Sequence, residues 1–289
     1  LEACVKREVI KLGFENVRTF DGRVEFTGDE SAIPRANLWL RCAGRVFVKM
    51  GEFKATSFEE LFQGTKALPW GDWIPVDGKF TVVGKSVKST LHSVPDCQAI
   101  VKKAIVEKLK EKYDVDWFDE TGAEYTVQVA LLKDMATLTI DTSGSGLHKR
   151  GYRANALDAP LKETLAAAMV ELSYWNKDRI LLDPFCGSGT IPIEAALIAR
   201  NIAPGLNRHF ASEKWERVPE SLWKEERRKC YEAIDYDCMP EIYGSDIDPA
   251  AIELAKANAE LAGVDDCITF EVKPVQETEL YGDYGCLIT

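Results

Sequence analysis

The sequence predicts an α/β domain preceded by two smaller α+β units, and three observations carry that expectation. Beyond residue 151, short apolar strands alternate with long helices, the pattern of a parallel sheet. Before residue 150, two closely spaced strand pairs and two single strands are interspersed with helices, an α+β pattern. Between the two patterns lies "SGSGLHKRGYR", a polar, glycine-rich stretch with the composition of a hinge. The expected divisions are residues 1–56, 57–150 and 151–289.

In the first unit, "LEACVKREVIKLG" spaces Val5, Val9, Ile10 and Leu12 as on one helix before Gly13 ends the pattern. This helix has no capping residue ahead of it, so the first strand of the unit is expected to be missing before Leu1. "NVRTF" and "RVEFTG" flank Asp21-Gly22, a strong hairpin signal. "SAIPRANLWLRCA" reads as a helix and "RVFVKMGEF" as a strand. With the missing strand supplied, the order β, α, β, β, α, β is that of a ferredoxin-like domain.

The second unit opens with helix "SFEELFQGTKAL", strand "KFTVVGKSVKS" and the long amphipathic helix "DCQAIVKKAIVEKLKEKY". Asp96 is expected as its N-cap, with Ile100, Ala104, Ile105 and Leu109 turned inward and the lysines outward. Strands "AEYTVQVALL" and "MATLTIDTSG", joined at Lys133-Asp134, close the unit. The third unit runs from helix "LKETLAAAMVELS" through strand "RILLD", a glycine turn, helix "IPIEAALIA" and a polar insertion. It continues with strand "EIYGSD", helix "PAAIELAKANAELAG" and strands "ITFEV" and "YGCLIT". In such a sheet, ligands bind at the carboxyl ends of the strands.

Composition narrows the function. No run of apolar residues is long enough to span a bilayer, and no secretory signal is visible. The eight cysteines form no CxxC pair and read as reduced thiols of a cytoplasmic protein. His92, His148 and His209 are scattered, so no metal site is expected. The net charge of −11 argues against a nucleic-acid partner. Its distribution argues the other way: the charges balance over residues 1–150, and the surplus of acid lies beyond. Lys85, Lys88, Lys102, Lys103 and Lys110 belong to a locally basic stretch that suits a phosphate-facing surface, or equally a solvated helix face.

The chemistry concentrates in "LLDPFCGSGT". Gly187 and Gly189 lack the third glycine of a dinucleotide fingerprint, and no GK[ST] follows. Asp183 ends the strand with no Lys or Arg between it and Arg200, so the turn repels phosphate and attracts a cation. S-adenosylmethionine, a nucleoside with a sulfonium, an ammonium and no phosphate, fits that site. The two glycines admit its methionine part close to the backbone. Asp246 ends the next strand, where a carboxylate can accept hydrogen bonds from both ribose hydroxyls. Ile247 then lies against the adenine, and Asp248, before Pro249, caps the following helix.

These residues also carry a resemblance. "DPFCGSGTIPIEAALIARNIAPG" with "GSDIDPAAIELAKANAELAG" resembles motifs I and II of class I S-adenosylmethionine-dependent RNA methyltransferases that carry a THUMP domain. The match is closest to the bacterial 23S ribosomal RNA guanine-N2 type, whose members are often labelled N6-adenine-specific DNA methylases. "SGSGLHKRGYRANALDAPLKETLAAAM" is similar to that family's linker, and "FASEKW" to part of its insertion. The resemblance implies a Rossmann-like methyltransferase domain preceded by ferredoxin-like and RNA-binding THUMP domains. It implies cofactor contacts at Asp183, Phe185, Gly187, Gly189, Thr190, Asp246 and Ile247, and favours the RNA-binding reading of the lysines.

Two departures stand out. Lys273-Pro274-Val275-Gln276 replaces an acid that often lies near the adenine amine. The family's Asn-Pro-Pro-Tyr-type catalytic motif is expected directly after "YGCLIT", so the chain reads as a portion of a longer enzyme whose catalytic residues follow Thr289. Its expected reaction is methylation of a guanine N2 in structured, ribosomal RNA. The alternatives are a transfer-RNA guanine, a DNA adenine N6, or a non-catalytic RNA-binding adaptor that holds the cofactor without using it.

Overall fold

In the computed structural model, residues 1–153, 161–279, 282 and 284–289 are described, and residues 154–160 of the expected linker lie outside them. The chain divides into two units. One comprises Leu1–Gly44, Gly146–His209 and Leu222–Thr289; the other comprises Arg45–Ser145 and Phe210–Ser221.

The first unit begins with helix α1 (Glu2–Lys11), which buries Cys4 and Val9. Strands β1 (Glu15–Phe20) and β2 (Arg23–Thr27) pair antiparallel around the expected turn, where Gly22 takes the left-handed φ of +74°. Phe14 stacks on Phe26 with ring centroids 4.4 Å apart. Helix α2 (Ala32–Trp39) buries Ile33, Ala36 and Leu38, and ends where Leu40 turns extended.

Strand β3 (Phe47–Lys54) forms where the sequence places it, but it pairs with β6 in the second unit. The break between the two compact units accordingly lies at Gly44 and Arg45, before the strand. The linear order could not show this, because β3 finds its hydrophobic partners far along the chain. Val48 lies opposite Ile140, Gly51 opposite Leu138 and Phe53 opposite Ala136.

The second unit is a four-stranded sheet of order β3-β6-β5-β4. Strand β4 (Lys79–Val87) runs parallel to β5 (Glu124–Leu132), which is antiparallel to β6 (Met135–Asp141). Alternation along β5 buries Tyr125, Val127, Val129 and Leu131. Helix α3 (Phe58–Lys66) starts with a capping box between Ser57 and Glu60. Helix α4 runs from Val94 to Tyr113, two residues longer at its start than expected. Pro95 occupies the first turn, where its missing N–H costs nothing, and this moves the cap position to Ser93 and leaves Asp96 inside the helix. The inward set is correspondingly Cys97, Val101, Ala104, Ile105 and Leu109, with Ile100 half-buried. The insertion segment 210–221 completes this unit. Trp215 stacks on Tyr125 at 4.7 Å and donates its indole N–H to the Glu124 carbonyl at 3.1 Å.

The rest of the first unit is a parallel sheet of order β10-β7-β8-β9, formed by Cys286–Leu287, Leu181–Asp183, Ile242–Asp246 and Ile268–Val272 respectively. Helices α5 (Glu163–Leu172), α6 (Thr190–Ala199), α7 (Glu220–Glu232) and α8 (Pro249–Ala262) accompany it. Leu181, Ile191, Ile193, Leu197, Ile242, Ala259 and Ile268 share one core. Parallel pairing brings the carboxyl ends of β7 and β8 side by side, and Asp183 and Asp246 with them.

Among the described residues all eight cysteines are free thiols, and no helix is long and apolar enough to cross a membrane.

Candidate functional site

Strand β7 delivers Asp183 to the sheet edge with 1% of its surface exposed. Burial pushes its carboxyl up to about 6, and the charge of Asp246 adds to the rise; the Phe185 N–H and the Thr289 side chain work against it. Among the described residues no cationic side chain pairs with Asp183, and a carboxylate buried this deeply without one is electrostatically incomplete. The chain then turns sharply. Cys186 donates its N–H to the Ser245 carbonyl at 2.9 Å, and the Gly189 N–H returns to the Cys186 carbonyl at 2.8 Å.

Gly187 and Gly189 both adopt left-handed φ, +51° and +79°. They serve different ends. A Cβ on Gly189 would meet Ala255 and Phe270 at 3.0 Å, so this glycine lets α6 pack against α8 and β9. A Cβ on Gly187 would meet nothing within 4 Å, so the backbone there faces open space beside the two acids. Gly187 donates its N–H to Asp246 Oδ2 at 3.0 Å, and Asp248 donates its own to Oδ1 at 3.0 Å. Each oxygen keeps a lone pair for a further donor. Asp248 caps α8 by accepting the Ala250 N–H at 2.9 Å.

Two large apolar side chains flank this carboxylate pair in water: Phe185 is 61% exposed and Ile247 72%. Their exposure beside polar groups marks an unfilled apolar contact, of the kind a purine ring fills. Thr190, the first residue of α6, is buried and accepts a hydrogen bond from Arg153 Nη2 at 3.0 Å. Arg153 also binds the Leu161 carbonyl at 3.1 Å and pairs with Glu163 at 3.3 Å. Asn258 of α8 donates to the Ser188 carbonyl at 3.1 Å. At the position of the missing acid, Lys273 donates its N–H to the Asp246 carbonyl and lies 3.6 Å from Glu271.

The five lysines of the basic stretch do not share one face. Lys85 is an exposed residue on β4, on the strand's solvent-facing alternation, while Gly84 beside it approaches Val94 and Gln98 of α4. Lys88 is exposed at the end of that strand with φ of +50°. Lys102 and Lys103 are exposed on α4, their ammonium groups 5.6 Å from the ring of Phe80 and 5.9 Å from that of Phe62. Lys110 is half-buried on the same helix.

Comparison with known proteins agrees with this geometry. Residues 150–289 match the model of the RMKL-like methyltransferase domain, residues 55–141 that of the THUMP domain, and residues 1–47 that of the RlmL ferredoxin-like domain. The chain is 54% identical over 290 residues to a Bacillus subtilis (strain 168) protein described as "Putative RNA methyltransferase YpsC", covering all of this chain and 75% of that protein. The chain belongs to the THUMP-containing RMKL-like methyltransferase family.

Two solved structures are similar to this methyltransferase over 99% of its length and 76% of theirs. One, 55% identical with a TM-score of 0.96, is described as a "predicted N6-adenine-specific DNA methylase from Listeria monocytogenes str. 4b F2365". The other, SMU.472, is 44% identical with a TM-score of 0.93 and was crystallised with SAH. The expected ferredoxin-like, THUMP and Rossmann-like methyltransferase architecture is the one found. S-adenosylmethionine is the cofactor of this methyltransferase, and the open backbone at Gly187 and the uncompensated Asp183 fit it. Arg153 and Asn258, which brace the turn, escaped the sequence reading. Nothing in the spacing of Arg153 marks it, whereas Asn258 is a polar residue on the inward face of α8 and could have been noticed.

Proposed function

We propose that this RMKL-like methyltransferase transfers the methyl group of S-adenosylmethionine to the exocyclic N2 amine of a guanine in structured RNA, with 23S ribosomal RNA as substrate. The observation that carries the reading is that Asp183 and Asp246 end the neighbouring strands β7 and β8 beside the open Gly187 backbone, in a chain that also matches a THUMP domain. RNA agrees with the name of the Bacillus subtilis relative, and guanine-N2 with the motif resemblance. Methylation of ribosomal RNA, with eight free thiols in the chain, corresponds to a cytoplasmic enzyme.

The roles follow from position. Asp183 faces the cationic methionine end, with Gly187 and Gly189 giving backbone access and Thr190 opening α6 below it. Asp246 accepts the ribose hydroxyls, and Phe185 and Ile247 enclose the adenine. The bound cofactor supplies an electrophilic methyl on a sulfonium. Aligning an attacking nitrogen with that methyl and excluding water is the remaining work of the protein. Lys85, Lys88, Lys102, Lys103 and Lys110 supply phosphate contacts, on two faces of the second unit rather than one.

The test uses the purified protein, methyl-labelled cofactor, and unmodified 23S ribosomal RNA, transfer RNA and duplex DNA as acceptors. Nucleoside digestion should return the label as N2-methylguanosine from the ribosomal RNA. Label in N6-methyl-2′-deoxyadenosine from DNA would overturn the reading in favour of the activity in the Listeria protein's description, and label in transfer RNA would overturn the substrate.

A further inference from the structure

We propose that Cys4, Cys42 and Glu171 form a binding site for a thiophilic divalent cation, zinc by the chemistry of the donors. Cys4 stands on α1 and is fully buried. Cys42 lies in the segment after α2 and is 5% exposed. Glu171 is in the last turn of α5. One donor atom from each of the three lies within 4.8 Å of the other two. No CxxC or histidine spacing announces the group, because each ligand comes from a different segment of the first unit.

Two sulfurs and a carboxylate oxygen are donors that zinc binds. Zinc–sulfur bonds of about 2.3 Å in a tetrahedron set the sulfurs roughly 3.8 Å apart. Side-chain rotation of the two thiols closes a gap of about an ångström on that scale. The wall of the site is small and apolar, with Ala167 and Ala168 of α5 packed against both cysteines and Val5 and Ile198 beside them.

Charged side chains of both signs surround the donors. Glu8, one turn beyond Cys4 on α1, accepts the backbone N–H groups of Arg41 and Cys42 at 3.0 and 3.2 Å. Two guanidiniums lie close by: Arg7, exposed, donates to Cys4 Sγ at 3.6 Å, and Arg41, whose charge acts on Glu8 and Glu171, donates to the Ile202 carbonyl at 2.7 Å. A bound dication would let the thiols ionise, with water or Glu8 in the fourth position, and would clip α1 to α5.

The chain, stripped by chelation under reducing conditions, is titrated with cobalt(II) and then zinc(II). One cobalt per chain, a thiolate-to-cobalt charge-transfer band displaced by zinc, and a melting temperature that rises with zinc are expected. Cys4→Ser and Cys42→Ser should each weaken zinc binding by about 100-fold or more, and Glu171→Gln by about tenfold. Zinc should also slow alkylation of Cys4 and Cys42 selectively in the unaltered chain, a readout that requires no variant to fold. Absence of stoichiometric metal, equal affinity in the Cys4→Ser/Cys42→Ser double variant, or a reduced chain that forms a Cys4–Cys42 disulfide in air but takes up no cobalt would overturn the proposal.

Discussion

Gly187 donates its backbone N–H to Asp246 Oδ2 at 3.0 Å, so the turn after β7 and the acid that ends β8 form one bonded unit. The ribose acceptor thus also holds the glycine turn in place. Asp246→Ala should weaken S-adenosylmethionine binding by about 1–3 kcal/mol, the usual cost of losing a charged acceptor. Asp246→Asn keeps an acceptor for one of the two backbone donors and should fall between Ala and the parent. Calorimetric titration of the three proteins checks the order, and unchanged affinity in Asp246→Ala would remove the ribose assignment.

Asp183 carries the opposite liability. Its folded value, about 6, lies above the ordinary 3.8, so between roughly pH 4 and 6 the folded chain holds a proton that the unfolded chain has released. This group's contribution to stability is therefore present at low pH and is lost as pH rises toward 6. At pH 7 without cofactor, Asp183→Asn should stabilise the protein by about 2 kcal/mol, because it removes a buried charge of that cost. The same change should lower cofactor affinity tenfold or more, on the order of one charge-assisted contact. Urea melts at pH 5 and pH 7 give the stability term; a variant less stable than the parent at pH 7 would contradict it.

Local chemistry made the cofactor turn legible. Asp183, Gly187, Gly189, Asp246 and the Asp248 cap lie within two short stretches, and parallel pairing of β7 with β8 then brings them together. What escaped the sequence depends on distant partners. Strand β3 was legible as a strand, but its membership in the second sheet rests on Ile140, Leu138 and Ala136, far along the chain. Arg153 reaches Thr190 across the same kind of separation, as Cys4 reaches Glu171. The lysines were misleading as a group because β4 and α4 turn them to different faces.

Those faces can be told apart by charge reversal. Lys102→Glu/Lys103→Glu should lower RNA affinity and reduce the slope of log K against log salt by about 1–2, roughly 0.7–0.9 per phosphate contact. Lys85→Glu tests the β4 side separately. Cofactor affinity should be unchanged in all of them, since none of these lysines touches the turn. If the α4 pair is silent while Lys85→Glu is not, the RNA lies against the sheet, and the α4 lysines are a solvated face.

The helix that carries the glycine turn is anchored by a buried ion pair. Glu194 of α6 is fully buried, accepts the Tyr152 hydroxyl at 3.0 Å and faces Arg150 Nε at 3.4 Å. Arg150 Nη2 also donates to Glu194 Oε2 at 3.5 Å, and the guanidinium donates further to the carbonyls of Leu147, at 2.7 Å, and Arg41, at 2.5 Å. Removing one partner strands the other charge away from water, so Glu194→Ala should cost about 3–5 kcal/mol. Glu194→Gln keeps a hydrogen-bond acceptor and should cost less. The double variant Arg150→Met/Glu194→Leu removes both charges and should recover much of the loss. Its deviation from additivity in denaturant melts measures how far the pair, rather than the packing of α6, sets the stability of the cofactor turn.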